Sequence, residues 1–455
     1  MTSNTAAIAA FRFGTGFSPS VPTPKDANEV VASLDRPDEI LRRYPLQDLK
    51  ATQKIVKAFT DERRAQKKSN MKDQAALRKV RAPLFKATNA SLVASVMRSA
   101  ETTAPMRERL VAFWADHFTV RAKSVALRPL PGVYVDEAIR PLVLGRFSDL
   151  LRAAVTHPGM LIYLDQIASV GPGSPVGKRR NRGLNENLAR EVLELHTLGD
   201  PTLYGQSDVR EFAELLTGLS YARGEGMVFR PRIAEPGTET VLGRRYGGKR
   251  ARVDDVYAAL DDLARHPATA NHIARKLAVH FVSDSPDPGL VSHLEARYAA
   301  TEGDLRSVTE ALVEHPGAWK SVGPKARRPL DFLQASLRAL APDATRITKA
   351  KPRQINLALR APLRAMGQPF EEPPGPDGWP EAFASWINPQ GLAARIQWAM
   401  ALPRVIQPDL PDPRDFVDTA LGALASGETR FAAQSAETRW EGIGLILASP
   451  EFNRR

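Results

Sequence analysis

The sequence predicts a mainly α protein, a multi-helical single assembly with one small β-hairpin around 225–246. Three observations predict it. Apolar residues recur at helical spacing in one window after another, from 106–120 to 328–340. Many of the 36 prolines, among them Pro131, Pro158, Pro267, Pro316 and Pro403, stand at the edges of those windows, where a ring without an N–H starts or stops a helix. Only one stretch reads as strand: two short β runs around the Pro236-Gly237 turn.

The 455 residues are enough for two or three domains, yet no linker composition interrupts them. A single domain over 1–455 is expected, in two lobes that meet near residue 250 (1–250 and 251–455). An apolar fraction of 43% and a charged fraction of 25% are those of a globular chain and exclude collagen-like, coiled-coil and wholly disordered readings. The absence of cysteine excludes disulfides, thiolate metal sites, iron–sulfur clusters and a cysteine nucleophile. No uninterrupted apolar window is long enough to span a membrane. The start, 1–10, lacks a basic segment followed by a long apolar run, so a cytoplasmic location is expected.

In chain order, the first feature is charge. The net charge is +12, and residues 1–100 hold 18 basic against 9 acidic side chains, most of the excess between Lys54 and Lys86. That is either an electrostatic footprint for nucleic acid or a solvated helix face, and we expect no aromatic platform for stacking bases there. Next, 106–120 (MRERLVAFWADHFTV) places Leu110, Phe113, Trp114 and Phe118 on one helical face. Asp116 and His117 are adjacent, so they project about 100° apart and form no dyad within that helix. His157-Pro158, His266-Pro267 and His315-Pro316 read as helix-boundary punctuation. Residues 169–184 form a Gly/Pro/Arg loop. Residues 185–198, 207–220, 254–264, 268–282, 290–299, 304–315 and 328–340 read as helices, with Ser207, Thr269 and Asp304 placed as N-caps. Residues 366–380 (MGQPFEEPPGPDGWP) form a Pro/Gly loop too structured in composition to be a linker.

The most informative stretch is 178–199, KRRNRGLNENLAREVLELHTLG, a basic loop running into a helix for which Asn185 is the expected N-cap. Glu186, Arg190 and Glu194 share one stripe; Asn187, Glu191 and Glu194 share the next. His196 closes the helix, where an imidazolium would suit the negative end of the dipole. Three uses stay open. Lys178, Arg179, Arg180 and Arg182, with Asn185, would hold an anion at the helix N-terminus. Glu191 and Glu194 with a histidine would ligate a divalent metal, although the spacing matches no established ligand pattern. Glu186, Asn187 and Arg190 would form a structural polar ladder. The glycines of 171–177 resemble a phosphate loop but have the wrong spacing and no Ser or Thr after Lys178.

Several blocks in order resemble a bacterial family, domain-of-unknown-function family 1800. They are RERLVAFWADHF (107–118), NENLAREVLELHTLG (185–199), SDVREFA (207–213) with Thr217-Gly218, TETVLG (238–243), HPATA (266–270), KLAVHF (276–281), Gly303-Asp304-Leu305, GQPF (367–370), GPDGWP (375–380) and LASPEF (447–452). The resemblance brings no assigned activity and no catalytic residues. It implies export for many members and a sulfatase- or phosphatase-like partner protein, through gene proximity alone. Members often carry His where Ala234 stands, Lys where Glu239 stands and Trp where Leu219 stands, so a ligand contact from the hairpin would be weakened here.

Three functions are therefore weighed. The first is an accessory or binding module with an anion-binding loop, acting with a partner protein. The second is an enzyme, such as a metal-dependent hydrolase, with Asp116, His117, Glu191, Glu194 and His196 converging between the 106–120 and 185–196 helices. The third is nucleic-acid binding through 54–86. The sequence names no cofactor.

Overall fold

The structure, a computed structural model, describes residues 4–70, 73–180, 183–320, 323 and 325–455, the side chain of Arg180 excepted. Helices carry it, as the periodicity predicts. Helix α1 (Asn4–Arg12) is followed by two long helices that pack on each other, α2 (Leu49–Ser69) and α3 (Gln74–Glu101). Asp48 caps the first through the Ala51 N–H at 2.7 Å, and Asp73 caps the second through the N–H groups of Ala75 and Ala76. Helix α4 (Pro105–His117) carries the aromatic face, and α5 (Asn187–Glu191) the polar stretch. Helices α6 (Gln206–Leu216), α7 (Pro267–Phe281) and α8 (Pro329–Leu340) frame the centre.

Asp304 caps its helix as expected, accepting the Ser307 N–H at 2.8 Å. Ser207 and Thr269 do not. Gly205 starts α6, with the Asp208 carboxylate returning to the Gly205 N–H at 2.9 Å, and His266 starts α7. The three His-Pro dipeptides share one geometry. Each proline is the first helical residue, and Nδ1 of His157, His266 and His315 accepts the N–H of Gly159, Ala268 and Gly317 at 3.0, 3.1 and 3.1 Å. Only a neutral ring accepts at Nδ1, so each cap fixes the tautomer. Burial lowers the pKa of His266 and His315, in the same direction.

The strands correct the single predicted hairpin. Among the described residues there are two antiparallel pairs: β1 (Leu219–Ala222) with β2 (Gly226–Phe229), and β3 (Gly237–Val241) with β4 (Arg244–Gly248). The runs on either side of Pro236 do not pair with each other. Each has a tighter turn of its own, and the second is a two-residue loop with φ of 50° at Leu242 and 75° at Gly243, the geometry that matches strand twist.

Buried apolar side chains gather in two large clusters. The first holds the aromatic face of α4 and residues up to Ala318, with Val241 and Val256 from both sides of residue 250. The second joins the C-terminal half of α3 to 332–452. Helix α1 serves both, Ile8 and Ala9 in one, Ala7 and Phe11 in the other. Among the described residues no helix is long and apolar enough to cross a membrane. The basic stretch 54–86 lies along α2 and α3. Contrary to expectation it does hold aromatics, but Phe59 is buried beneath Arg63, and Arg81 covers Phe85 at 4.7 Å, so neither presents an open face.

Candidate functional site

The N-cap of the polar helix is Glu186 and not the expected Asn185, whose side-chain oxygen accepts the Asn187 N–H at 2.9 Å from one residue further out. Beyond Glu191 it widens into a π turn, Val192–Thr197, in which the Leu198 N–H reaches the Leu193 carbonyl at 3.0 Å. The extra residue per turn shifts the phase of the side chains. His196 thus enters the core, only 1% exposed. Burial, then Lys276 and His272, push its pKa down to about 3. The ring is neutral, and the imidazolium expected from the helix dipole is overturned, because desolvation outweighs the ~0.3–2 kcal/mol a helix end offers. His117 lies beside it, Nε2 at 3.1 Å from the His196 carbonyl, among Phe113, Trp114 and Phe118. Burial holds His117 neutral as well.

The ladder residues lie at the surface. Arg190 reaches Glu186 at 3.3 Å, Gln206 bridges the two, and Asn187 is exposed. Glu194 is exposed and Glu191 half-buried; burial, then Glu194 and Asp377, raise the Glu191 pKa. Of the five residues proposed to converge, the structure pairs His117 with His196 and sets Glu191 near Glu194, and Asp116 turns elsewhere. Among the described residues no three His, Asp or Glu side chains are grouped to hold a metal ion.

Asp116 turns to the start of α8. Its Oδ2 accepts Arg328 at 2.7 Å and its Oδ1 the Trp379 N–H at 2.9 Å. Arg328 also binds Glu381 at 2.7 Å, and Glu381 takes Nδ1–H of His280 at 2.6 Å. Burial alone would raise the Glu381 carboxyl, but Arg328 and His280 overcome it and hold it well below the usual range. This network floors one end of a cleft of about 200 Å³. Its walls are Val111, Ala112 and Ala115 of α4, Ser91 and Arg98 of α3, Gln334 of α8, and the 366–380 loop through Gln368, Phe370 and Glu371. A second π turn, Val135–Ile139, brings Asp136 to Arg98, a two-pronged pair at 2.6 and 2.8 Å. Gln368 spends its carbonyl oxygen on the Leu330 N–H.

Glu371 is the unusual member. Its φ is 57°, a left-handed conformation rare outside glycine, and Ser91 donates to its Oε1 at 2.5 Å. Burial pushes its pKa up to about 7. Of the cleft residues, sequence reasoning took only Asp116 as a candidate site residue. The signal for the rest was the 366–380 loop. Gly378, φ 81°, lies so close that a Cβ would come within 2.6 Å of the Asp116 carbonyl and Oδ1.

The basic loop is arranged differently. Arg182 lies outside the described residues, as does the side chain of Arg180. Lys178 and Arg179 sit on the short helix Pro175–Arg180. The preceding glycines do cradle an anion, but an internal one: the Gly173 N–H donates to both Glu235 oxygens at 3.0 and 2.7 Å. Arg179 lines a groove of about 340 Å³ with Arg230, Arg232 and Ser220.

No curated protein and no solved structure matches this chain. The family profile described as Protein of unknown function (DUF1800) matches residues 10–454, nearly the whole length, and the chain belongs to that family.

Proposed function

We propose that this protein is a binding module whose working site is the cleft between α3, α4, α8 and the 366–380 loop, where it takes a small ligand with an apolar body. One observation carries the reading: an apolar wall faces converging polar groups in a preformed cleft, one of them a strained Glu371. The charges of the cleft are satisfied by each other, Arg98 by Asp136, Arg140 by Glu108 and Arg328 by Asp116, which leaves the middle neutral. The neutral fluorophore N-phenyl-1-naphthylamine should bind saturably at one site, with enhanced emission. Ala115→Trp, which fills the cleft from α4, should abolish the enhancement while the melting temperature holds. No saturable binding, or binding that survives Ala115→Trp, would overturn the reading.

A second reading, an accessory module that docks an anionic group of a partner at the basic loop, is favoured by Arg179, Arg230 and Arg232. None of them has a carboxylate partner among the described residues, and of their side chains only that of Arg230 makes a hydrogen bond, to the Tyr221 carbonyl at 3.3 Å. Calorimetric titration with inorganic phosphate at low salt should show binding that Arg179→Gln/Arg232→Gln removes. Equal heats in wild type and variant would rule that site out.

A further inference from the structure

A second chamber of about 200 Å³ adjoins the cleft and shares Phe370 and Glu371 with it. Its chemistry is the opposite. Arg121, Lys123, Arg128 and Arg360 line it, with Glu371 and Glu372 as its acids. The third π turn of the described chain, Asn356–Arg360, brings Arg360 into place. Arg360 spends its hydrogen bonds on neutral acceptors, the Thr88 carbonyl at 3.3 Å and Asn89 Oδ1 at 3.2 Å. Arg121 donates to the Pro373 carbonyl at 3.1 Å. Among the described residues neither guanidinium has a carboxylate partner, and Arg128 meets Glu372 only at 3.8 Å. Lys123 is paired, with Asp165 at 2.5 Å.

We infer that cleft and chamber form one continuous site for an amphiphilic anion, a molecule with an apolar body and a carboxylate or phosphate head. The inference rests on the small-ligand reading above and adds the ligand's class. The argument is one of unpaired guanidinium donors. Arg121 and Arg360 donate only to carbonyl oxygens, and Glu371 and Glu372 act on Arg360 without a direct ion pair, so the forked donors are free of a bidentate carboxylate and fit a carboxylate or phosphate. A wholly polar anion would leave the apolar wall of α4 and Phe370 uncovered. A neutral apolar ligand would leave Arg121 and Arg360 as they are. Only a molecule with both halves meets both surfaces, and the shared Phe370 and Glu371 mark where its head joins its body.

The test is displacement of N-phenyl-1-naphthylamine from the full chain by four probes: decanoate, decyl phosphate, decan-1-ol and inorganic phosphate. One or both headed probes should displace the fluorophore at about tenfold lower concentration than decan-1-ol. The order of decanoate and decyl phosphate tells which head the chamber prefers. Inorganic phosphate should displace nothing. In Arg121→Gln/Arg360→Gln the advantage of the head should collapse, while the fluorophore and decan-1-ol bind as in wild type. Arg121 is exposed, so Arg121→Gln alone leaves folding intact and should still cost the headed probes about threefold. Headed probes no better than decan-1-ol, or an advantage that persists in both variants, would overturn the inference and leave the cleft reading standing. Absence of any fluorophore and decan-1-ol binding would overturn both.

Discussion

Replacing Arg328 by methionine should lower the unfolding free energy by about 3–5 kcal/mol, the usual consequence of removing one partner from a buried ionic network. Arg328 is 6% exposed and bridges two carboxylates, Asp116 and Glu381, each at 2.7 Å. Methionine replaces the volume but not the charge, which leaves Asp116 with the Trp379 N–H as its one remaining direct partner and Lys276 acting from further off. Glu381 keeps His280 and Lys325, the latter at 3.2 Å, so Asp116 suffers most. Urea unfolding at pH 7 measures the loss. A loss below about 1 kcal/mol would mean that water solvates these carboxylates as well as Arg328 does. Because the network floors the cleft, the same variant should also weaken fluorophore binding.

Glu239→Gln should stabilise the protein by about 2 kcal/mol at pH 8 and change little at pH 5. Glu239 is 8% exposed on β3 and faces Glu214, Glu235 and Glu211. Burial, then Glu214, push its pKa up to about 7. The sign follows from the proton count. An unfolded glutamate titrates near its ordinary value of 4.5, so between 4.5 and about 7 the folded state holds the extra proton. The contribution is complete below 4.5 and is lost as pH rises through 7. Calorimetric melting at the two pH values checks it, and an equal gain at both would show that charge is not the cause. Glu239→Lys should gain more at pH 8, since an ammonium there would face three carboxylates.

Much of the fold was legible because it is local. The aromatic stripe of 106–120, the helices from 254 to 340 and the cap at Asp304 each follow from residues within a few positions of one another. The His-Pro dipeptides were readable as boundaries, and the structure adds the cap bond that makes them so. The errors were local as well. Ser207 and Thr269 lost their caps to Gly205 with Asp208 and to His266, and the strands chose tight turns over the Pro-Gly junction.

The candidate site was far less legible. Asp116 was named, but its partner Arg328 lies 212 residues away, and Glu371 meets Ser91 across 280. His196 was read as an imidazolium closing the helix at the negative end of its dipole, but the π turn carries it into the core, where burial keeps the ring neutral.

By itself the sequence determined the mainly helical class, the placing of most helices and membership of the family, because periodicity, capping residues and ordered motifs are written in neighbouring positions. Only the tertiary structure decided which charges meet, which histidines are stripped of water and where two chambers of opposite chemistry adjoin. A helix's own sequence tells which of its faces is apolar, but the polar group that faces it is supplied by a distant part of the chain.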